Sequence, residues 1–238
     1  MKLFGSVDTP RVVAVISGNV VDNVALASEL GADVVEIRLD LLDSTTSIYD
    51  SLSYITENFS LPVIITNRLA KEGGGWKESE LKRVELLTTL MPLSDAVDIE
   101  LKAPLRDVVI NKAKELDKII IVSAHDFVET KPLDELISIL EEGHRVGGDI
   151  SKLAVTPHSS QDVLNLLQAG VASRHPVCTI AMGELGKHTR IIAGLYGSVL
   201  TYASVEGATA PGQLSVDTVK KLIKLFYGMD RSDALSVF

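Results

Sequence analysis

Asp149-Ile150-Ser151-Lys152-Leu153-Ala154-Val155-Thr156-Pro157 is the stretch on which the fold turns. Ile150, Leu153 and Val155 supply apolar bulk and Pro157 cannot continue a ladder, so the segment reads as a short buried strand stopped by its proline. Successive side chains of a strand point to opposite faces, so Lys152, Ala154 and Thr156 share one face and Leu153 and Val155 the other. If the aliphatic face packs on a helix, Lys152 points into whatever the sheet encloses. An amine enclosed with little water can shed its proton near neutrality and act as a nucleophile. The plainer alternative is a snorkelling side chain whose ammonium reaches water at the strand end.

The same pattern recurs on both sides of this segment. Strands are expected at residues 11–17, 33–40, 62–68, 95–101 and 118–126 before it, and at 176–183 and 198–204 after it. Helix-like sequence separates them at 21–30 (stopped by Gly31), 47–58, 78–91, 105–116, 132–146, 160–169, 189–195 and 215–227. The loop after the third strand, 69–76, holds Glu72 and three consecutive glycines. Eight strand–helix units of roughly 30 residues match a closed (β/α)₈ barrel. A doubly wound open sheet is the competitor, but no GxGxxG follows the first strand and no break in composition suggests two halves. Its strands, covered on both faces, would also be almost wholly apolar. Here Glu36, Arg38, Arg68, Asp98, Glu100, His125 and Lys152 load one face of several strands near their C-terminal ends. That pattern fits the inward face of a barrel, so the expected architecture is a single α/β barrel domain over residues 1–238, with 1–10 a lead-in and 229–238 a loosely attached tail.

Bulk properties narrow the function. The 238 residues are 46% hydrophobic and 23% charged, ordinary values for a globular protein. No apolar run approaches the roughly 20 residues that span a bilayer, and no secretion signal is expected from residues 1–6. The single cysteine, Cys178, excludes an internal disulfide or a CxxC metal site and suits a reducing cytoplasm. A net charge of −9 without a basic stripe argues against nucleic acid as a partner.

On a barrel the inward set converges on one mouth: Glu36, Arg38, Arg68, Glu72, His125, Lys152, Arg190 and Gln213. It joins a candidate amine nucleophile to an imidazole, carboxylates and fixed cations. Asp98, Glu100 and His125 could instead ligate a divalent ion, but the arginines and lysine already supply positive charge there. Gly183 and Gly186 are too loosely spaced to form a phosphate cradle.

In order along the chain stand Glu36-Ile-Arg38, Thr66-Asn-Arg68 with Glu72-Gly-Gly, Ser123-Ala-His-Asp-Phe127, Lys152-Leu-Ala-Val-Thr-Pro157, Met182-Gly-x-x-Gly-x-x-Thr-Arg190 and Thr209-Ala-Pro-Gly-Gln213. Together they resemble type I 3-dehydroquinate dehydratase, the Schiff-base-forming barrel enzyme of the shikimate pathway. Thr189 and Thr209 stand where that family has serine, each keeping a hydroxyl. The resemblance implies a small-molecule partner, 3-dehydroquinate, and neither metal nor organic cofactor. It casts Lys152 as the imine-forming amine, His125 as the acid–base group and Glu72 as its orienting carboxylate. Glu36, Arg38, Arg68, Met182, Arg190, Thr209 and Gln213 would bind substrate, with Arg190 suited to its carboxylate. A homodimer is left open. A class I aldolase and a non-catalytic barrel binding an anionic metabolite are the alternatives.

Each residue also has a plainer reading. His125 could be a barrel histidine bonded to Ser123, and Glu36 and Arg38 could serve only as structural ion pairs. Asp98 and Glu100 are read that way and left out of the catalytic set. Asp126 and Thr156 read as strand-end structure, His144 and His175 as solvated bystanders, and His158 and His188 as loop residues without a role.

Overall fold

The structure, a computed structural model, describes residues 9–45, 47–207 and 209–228. Most of the expected lead-in, and the whole expected tail, lie outside the described residues. Eight parallel strands run in the order β7-β6-β5-β4-β3-β2-β1-β8. They are β1 Arg11–Ile16, β2 Val34–Arg38, β3 Val63–Thr66, β4 Ala96–Glu100, β5 Ile119–Asp126, β6 Ile150–Val155, β7 Val177–Ala181 and β8 Leu200–Ser204. A bridge between Val177 and Ser198, with the Val199 N–H donating to the Val177 carbonyl at 2.8 Å, brings the two end strands together. The expected (β/α)₈ barrel is what forms.

Helices α1 Val20–Glu29, α2 Ile48–Asn58, α3 Glu80–Leu90, α4 Arg106–Glu115, α5 Leu133–Arg145, α6 Ser160–Ala172 and α9 Val216–Tyr227 cover the barrel. Between β7 and β8 lie two single turns, α7 Gly183–Gly186 and α8 Thr189–Ile192. Alternation along the strands sorts the core. Leu153 and Val155 pack outward against Leu136 and Leu140 of α5 and Val163 and Leu166 of α6. Inward, Val13, Ile64, Ile121, Ile150, Cys178 and Leu200 fill the lower barrel. α6 begins with a capping box, in which Ser159 and Asp162 satisfy each other's backbone N–H.

Register is fixed at the bottom by a repeated device. Asp33, Asp95 and Asp149 each stand one residue before a strand. Their side chains accept the N–H groups of Val12, Val63 and Ile120 on the preceding strand at 2.9, 2.8 and 2.8 Å. Their own N–H groups donate back to the carbonyls of the same three residues at 2.9, 2.9 and 2.8 Å. Each pairing is thus locked at one point from both sides.

Two expectations need correction. The second strand ends at Arg38, not at residue 40, because the chain turns over Leu39–Leu41. Asp40 holds that turn by accepting the Arg68 and Gly75 N–H groups at 3.1 and 2.9 Å. His144 is not solvated: it is half-buried, bonded to the Gly148 carbonyl, with its ring 4.6 Å from that of His175. Among the described residues no helix is long and apolar enough to cross a membrane.

Candidate active site

Strand alternation places Lys152 inside the barrel, 5% exposed. Its Nζ lies 3.0 Å from Asp98 Oδ2, 3.5 Å from Glu36 Oε1 and 4.0 Å from the centre of the Tyr202 ring. The ammonium is therefore charge-balanced, not merely desolvated, and an aromatic face adds to its cation site. Thr66 donates to Glu36 Oε1 at 2.9 Å and fixes that carboxylate in turn.

Arg68 joins this cluster from the end of β3. Its guanidinium lies 2.9 Å from Asp98 and 3.3 Å from Glu100, and it donates to Ser123 Oγ at 2.6 Å. The Ser123 hydroxyl donates to Asp98 Oδ1 at 2.6 Å. Burial opposes both charges, but Asp98 and Glu100 outweigh it and hold Arg68 above its usual pKa. Burial likewise opposes ionised Asp98, yet Arg68 and Lys152 hold its carboxyl well below the ordinary range.

His125, near the end of β5, meets Glu72 from the loop after β3. Glu72 Oε2 accepts the His125 backbone N–H at 3.0 Å and lies 2.9 Å from Nδ1 of the ring. An ionised Glu72 requires the proton on Nδ1, which leaves Nε2 free to take one. The plain reading of His125 as a partner of Ser123 is not realised, since that hydroxyl serves Asp98. Burial pushes Glu72 up to about 7, and burial with the nearby Arg68 and Lys152 charges pulls His125 well below 6.5. The depressed imidazole is therefore neutral near pH 7, the form able to accept a proton. The Phe127 ring packs so tightly on Gly73 that a Cβ there would lie 2.4 Å from it, which holds the loop carrying Glu72 against β5.

The rest of the mouth is built differently. Arg38 is forked onto Asp40 at 2.9 and 2.8 Å. Arg190, on α8, donates to the backbone carbonyls of Tyr202 and Pro211 at 3.2 and 3.1 Å. Among the described residues no carboxylate pairs with it, and its Nε is buried without a partner. Burial lowers its pKa to about 10. A buried, unbalanced guanidinium beside a cavity is a site for an anion. Gln213 is oriented by Thr209, whose N–H and hydroxyl donate to its side-chain oxygen at 2.7 and 3.0 Å. Gly212, at φ +70°, brings this loop so close to the Gly183 carbonyl that a Cβ would lie 2.5 Å away.

Lys152, His125, Glu72, Glu36, Arg38, Arg68, Met182, Arg190, Thr209 and Gln213 all line one cavity. It holds about 570 Å³ of empty space, part of it open to solvent. Tyr202 and Phe127 line it too. Sequence reasoning gave neither a role, although the alternation of β8 turns Tyr202 inward. Asp98 was set aside, yet it touches both Lys152 and Arg68. Among the described residues no cluster of three or more acidic, histidine or cysteine side chains has metal-binding geometry. Thr189 serves the fold, donating to the Gly186 carbonyl at 2.7 Å. As expected of strand-end structure, Asp126 caps the Val128 and Glu129 N–H groups and Thr156 donates to the Asp126 carbonyl.

The sequence profile of the family described as Type I 3-dehydroquinase matches residues 12–230. The chain is 50% identical over 222 residues to the 3-dehydroquinate dehydratase of Methanococcoides burtonii, covering 92% of this chain and 95% of that protein. It is 51% identical over 227 residues to that of Methanosarcina barkeri, covering 90% and 93%. The crystal structure of the 3-dehydroquinate dehydratase from Aquifex aeolicus VF5, 36% identical, superposes with a TM-score of 0.82 over 92% of this chain and 100% of that one. A match over nearly the whole barrel, at these identities, means that the chain belongs to the type I 3-dehydroquinase family.

Proposed function

We propose that the chain dehydrates 3-dehydroquinate to 3-dehydroshikimate through an imine on Lys152. The observation that carries this reading is the meeting, in one cavity, of a buried lysine amine and a histidine ring held by a carboxylate. Family membership and the names of the relatives supply the substrate.

The ammonium of Lys152 sheds a proton, and its nitrogen adds to the substrate ketone. Loss of water leaves an iminium whose charge lies where the ammonium was, still against Asp98, Glu36 and the Tyr202 face. That cation draws electrons from the neighbouring carbon, and His125 Nε2 removes its proton to give an enamine. The enamine expels the hydroxyl one carbon further on, and His125 returns the proton so that it leaves as water. Glu72 keeps the ring in the required tautomer and balances the imidazolium. Arg190 binds the carboxylate, while Arg38, Gln213 and Met182 embrace the ring. Arg68 acts chiefly through Asp98, since both its terminal nitrogens already have internal partners. Water then hydrolyses the product imine.

Borohydride added during turnover is expected to inactivate the protein and fix a ligand-derived mass on the peptide containing Lys152. Lys152→Ala should abolish both trapping and nearly all enone formation, followed by ultraviolet absorbance. Trapping at another lysine, with Lys152→Ala still active, would overturn the proposal. An aldolase would be trapped only by its own substrate, and a binding protein by none.

A further inference from the structure

Arg83 lies on α3, outside the barrel, and has no solvent exposure. Its Nε and Nη2 fork onto Glu80 of the same helix at 2.7 and 3.0 Å. Its Nη1 turns inward and donates to the Asn67 carbonyl at 2.5 Å and to Glu100 Oε2 at 3.0 Å. The other oxygen of Glu100 accepts the Leu69 N–H at 2.8 Å. The Leu69 carbonyl in turn accepts the N–H groups of Glu72 and Gly74 at 2.9 and 3.0 Å. Glu72 then grips both the backbone and the ring of His125.

An unbroken chain of hydrogen bonds therefore runs from a helix on the outside of the barrel to the imidazole within it. For packing alone an apolar side chain would fill the place of Arg83 at a smaller desolvation cost. A rigid fork that seizes the chain at residue 67, and through Glu100 at residue 69, does something apolar packing cannot. It sets where the loop leaves β3, and so where the Glu72 carboxylate stands. We infer that Arg83 is a positioning residue for the Glu72–His125 pair, acting through Glu100 and the Leu69 backbone. The inference deepens the reading of that pair given above and rests on it.

The test compares the parent with Arg83→Met, Arg83→Lys and the double variant Arg83→Met/Glu100→Gln. The double variant leaves no buried carboxylate stranded and keeps an acceptor for Leu69. Two quantities are followed: kcat and KM with 3-dehydroquinate, and the ¹⁵N resonances of the His125 ring across pH, assigned by their loss in His125→Ala. Arg83→Met should lower kcat by about tenfold or more, as a displaced catalytic pair does, with KM changed less than about threefold. Its His125 ring should lose the fixed Nδ1–H tautomer and titrate at a higher pH than in the parent. Lysine restores the charge without the fork, so Arg83→Lys should recover part of both effects. A lower melting temperature with parent-like kcat and a parent-like His125 titration would overturn the inference, leaving Arg83 a stabilising residue only. Should Arg83→Met not fold, the double variant read against Glu100→Gln alone decides by the same two readings, since the loss of Arg68's carboxylate partner is then common to both. If the parent fails to turn over 3-dehydroquinate, the functional reading falls, while the imidazole titration still decides for or against Arg83.

Discussion

Arg68 and Arg190 reach one cavity from opposite sides of the barrel, from the end of β3 and the turn after β7. Arg68 is partnered internally: two carboxylates and a hydroxyl surround its terminal nitrogens, and its charge holds Asp98 ionised beside Lys152. Arg190 has only two backbone carbonyls, with its Nε bare and its pKa lowered by burial to about 10. The two are chemically identical side chains with opposite states of completion. A cation whose partners are all internal organises the site, and one left short of an anion waits for a ligand. Burial alone would not distinguish them, since both are at most 4% exposed.

Replacing each should break the molecule in a different way. Arg68→Met leaves buried Asp98 with Lys152, and Glu100 with Arg83, as the only close cation among the described residues. Loss of one member of a buried ion network costs about 3–5 kcal/mol. Urea or guanidinium denaturation near pH 7 should show a loss of that size. A loss below about 1 kcal/mol would mean that Arg68 is not what those carboxylates need. Arg190→Leu removes an uncompensated buried charge, so the denaturation midpoint should stay or rise. The cost appears in binding, where losing a charge-assisted bond of about 1.5–3 kcal/mol raises KM at least tenfold. An unchanged KM would end the distinction drawn between the two arginines.

The smallest effect is a change of slope with pH. A folded Glu72 at about 7, against 4.5 when unfolded, keeps a proton the open chain has lost. Its contribution to stability is complete below pH 4.5 and disappears as pH rises through 7. His125, depressed from 6.5, acts in the other sense and costs stability as pH falls below that value. In Glu72→Gln the first slope should vanish, a change on the order of 1–2 kcal/mol between pH 5 and 7. Parallel stability curves for parent and variant would place Glu72 in water rather than in the His125 pair.

The inward set of side chains could be read in the sequence because strand alternation has a period of two, so Glu36, Lys152 and Met182 declare their face locally. The barrel followed from eight such strands. What escaped depends on pairing across strands. Asp98 and Lys152 are 54 residues apart, and only the β4–β5–β6 register brings their charges within 3.0 Å. Tyr202 reads as one more apolar strand residue until a lysine is found over its ring. Arg83 is hidden by its own type: a charged residue on a helix is ordinarily solvated, and nothing local reveals that Glu100 lies behind it. The single turn α7 has four residues with glycine at both ends, too few for helical periodicity to show.

The aspartates at the foot of the barrel bear on this chemistry from its far end. In a strand a shift of one residue exchanges the two faces. If β6 paired with β5 one position out of step, Lys152 would face α5 and α6, and Leu153 would stand in the cavity. Burial opposes such a slip, since Lys152 would press on the leucines of α5 and α6. Asp149 opposes it too, because only the native pairing gives its carboxylate the Ile120 N–H. Asp33 and Asp95 check two other pairings in the same way. These residues proofread assembly, and a barrel that passes them has its amine on the inside.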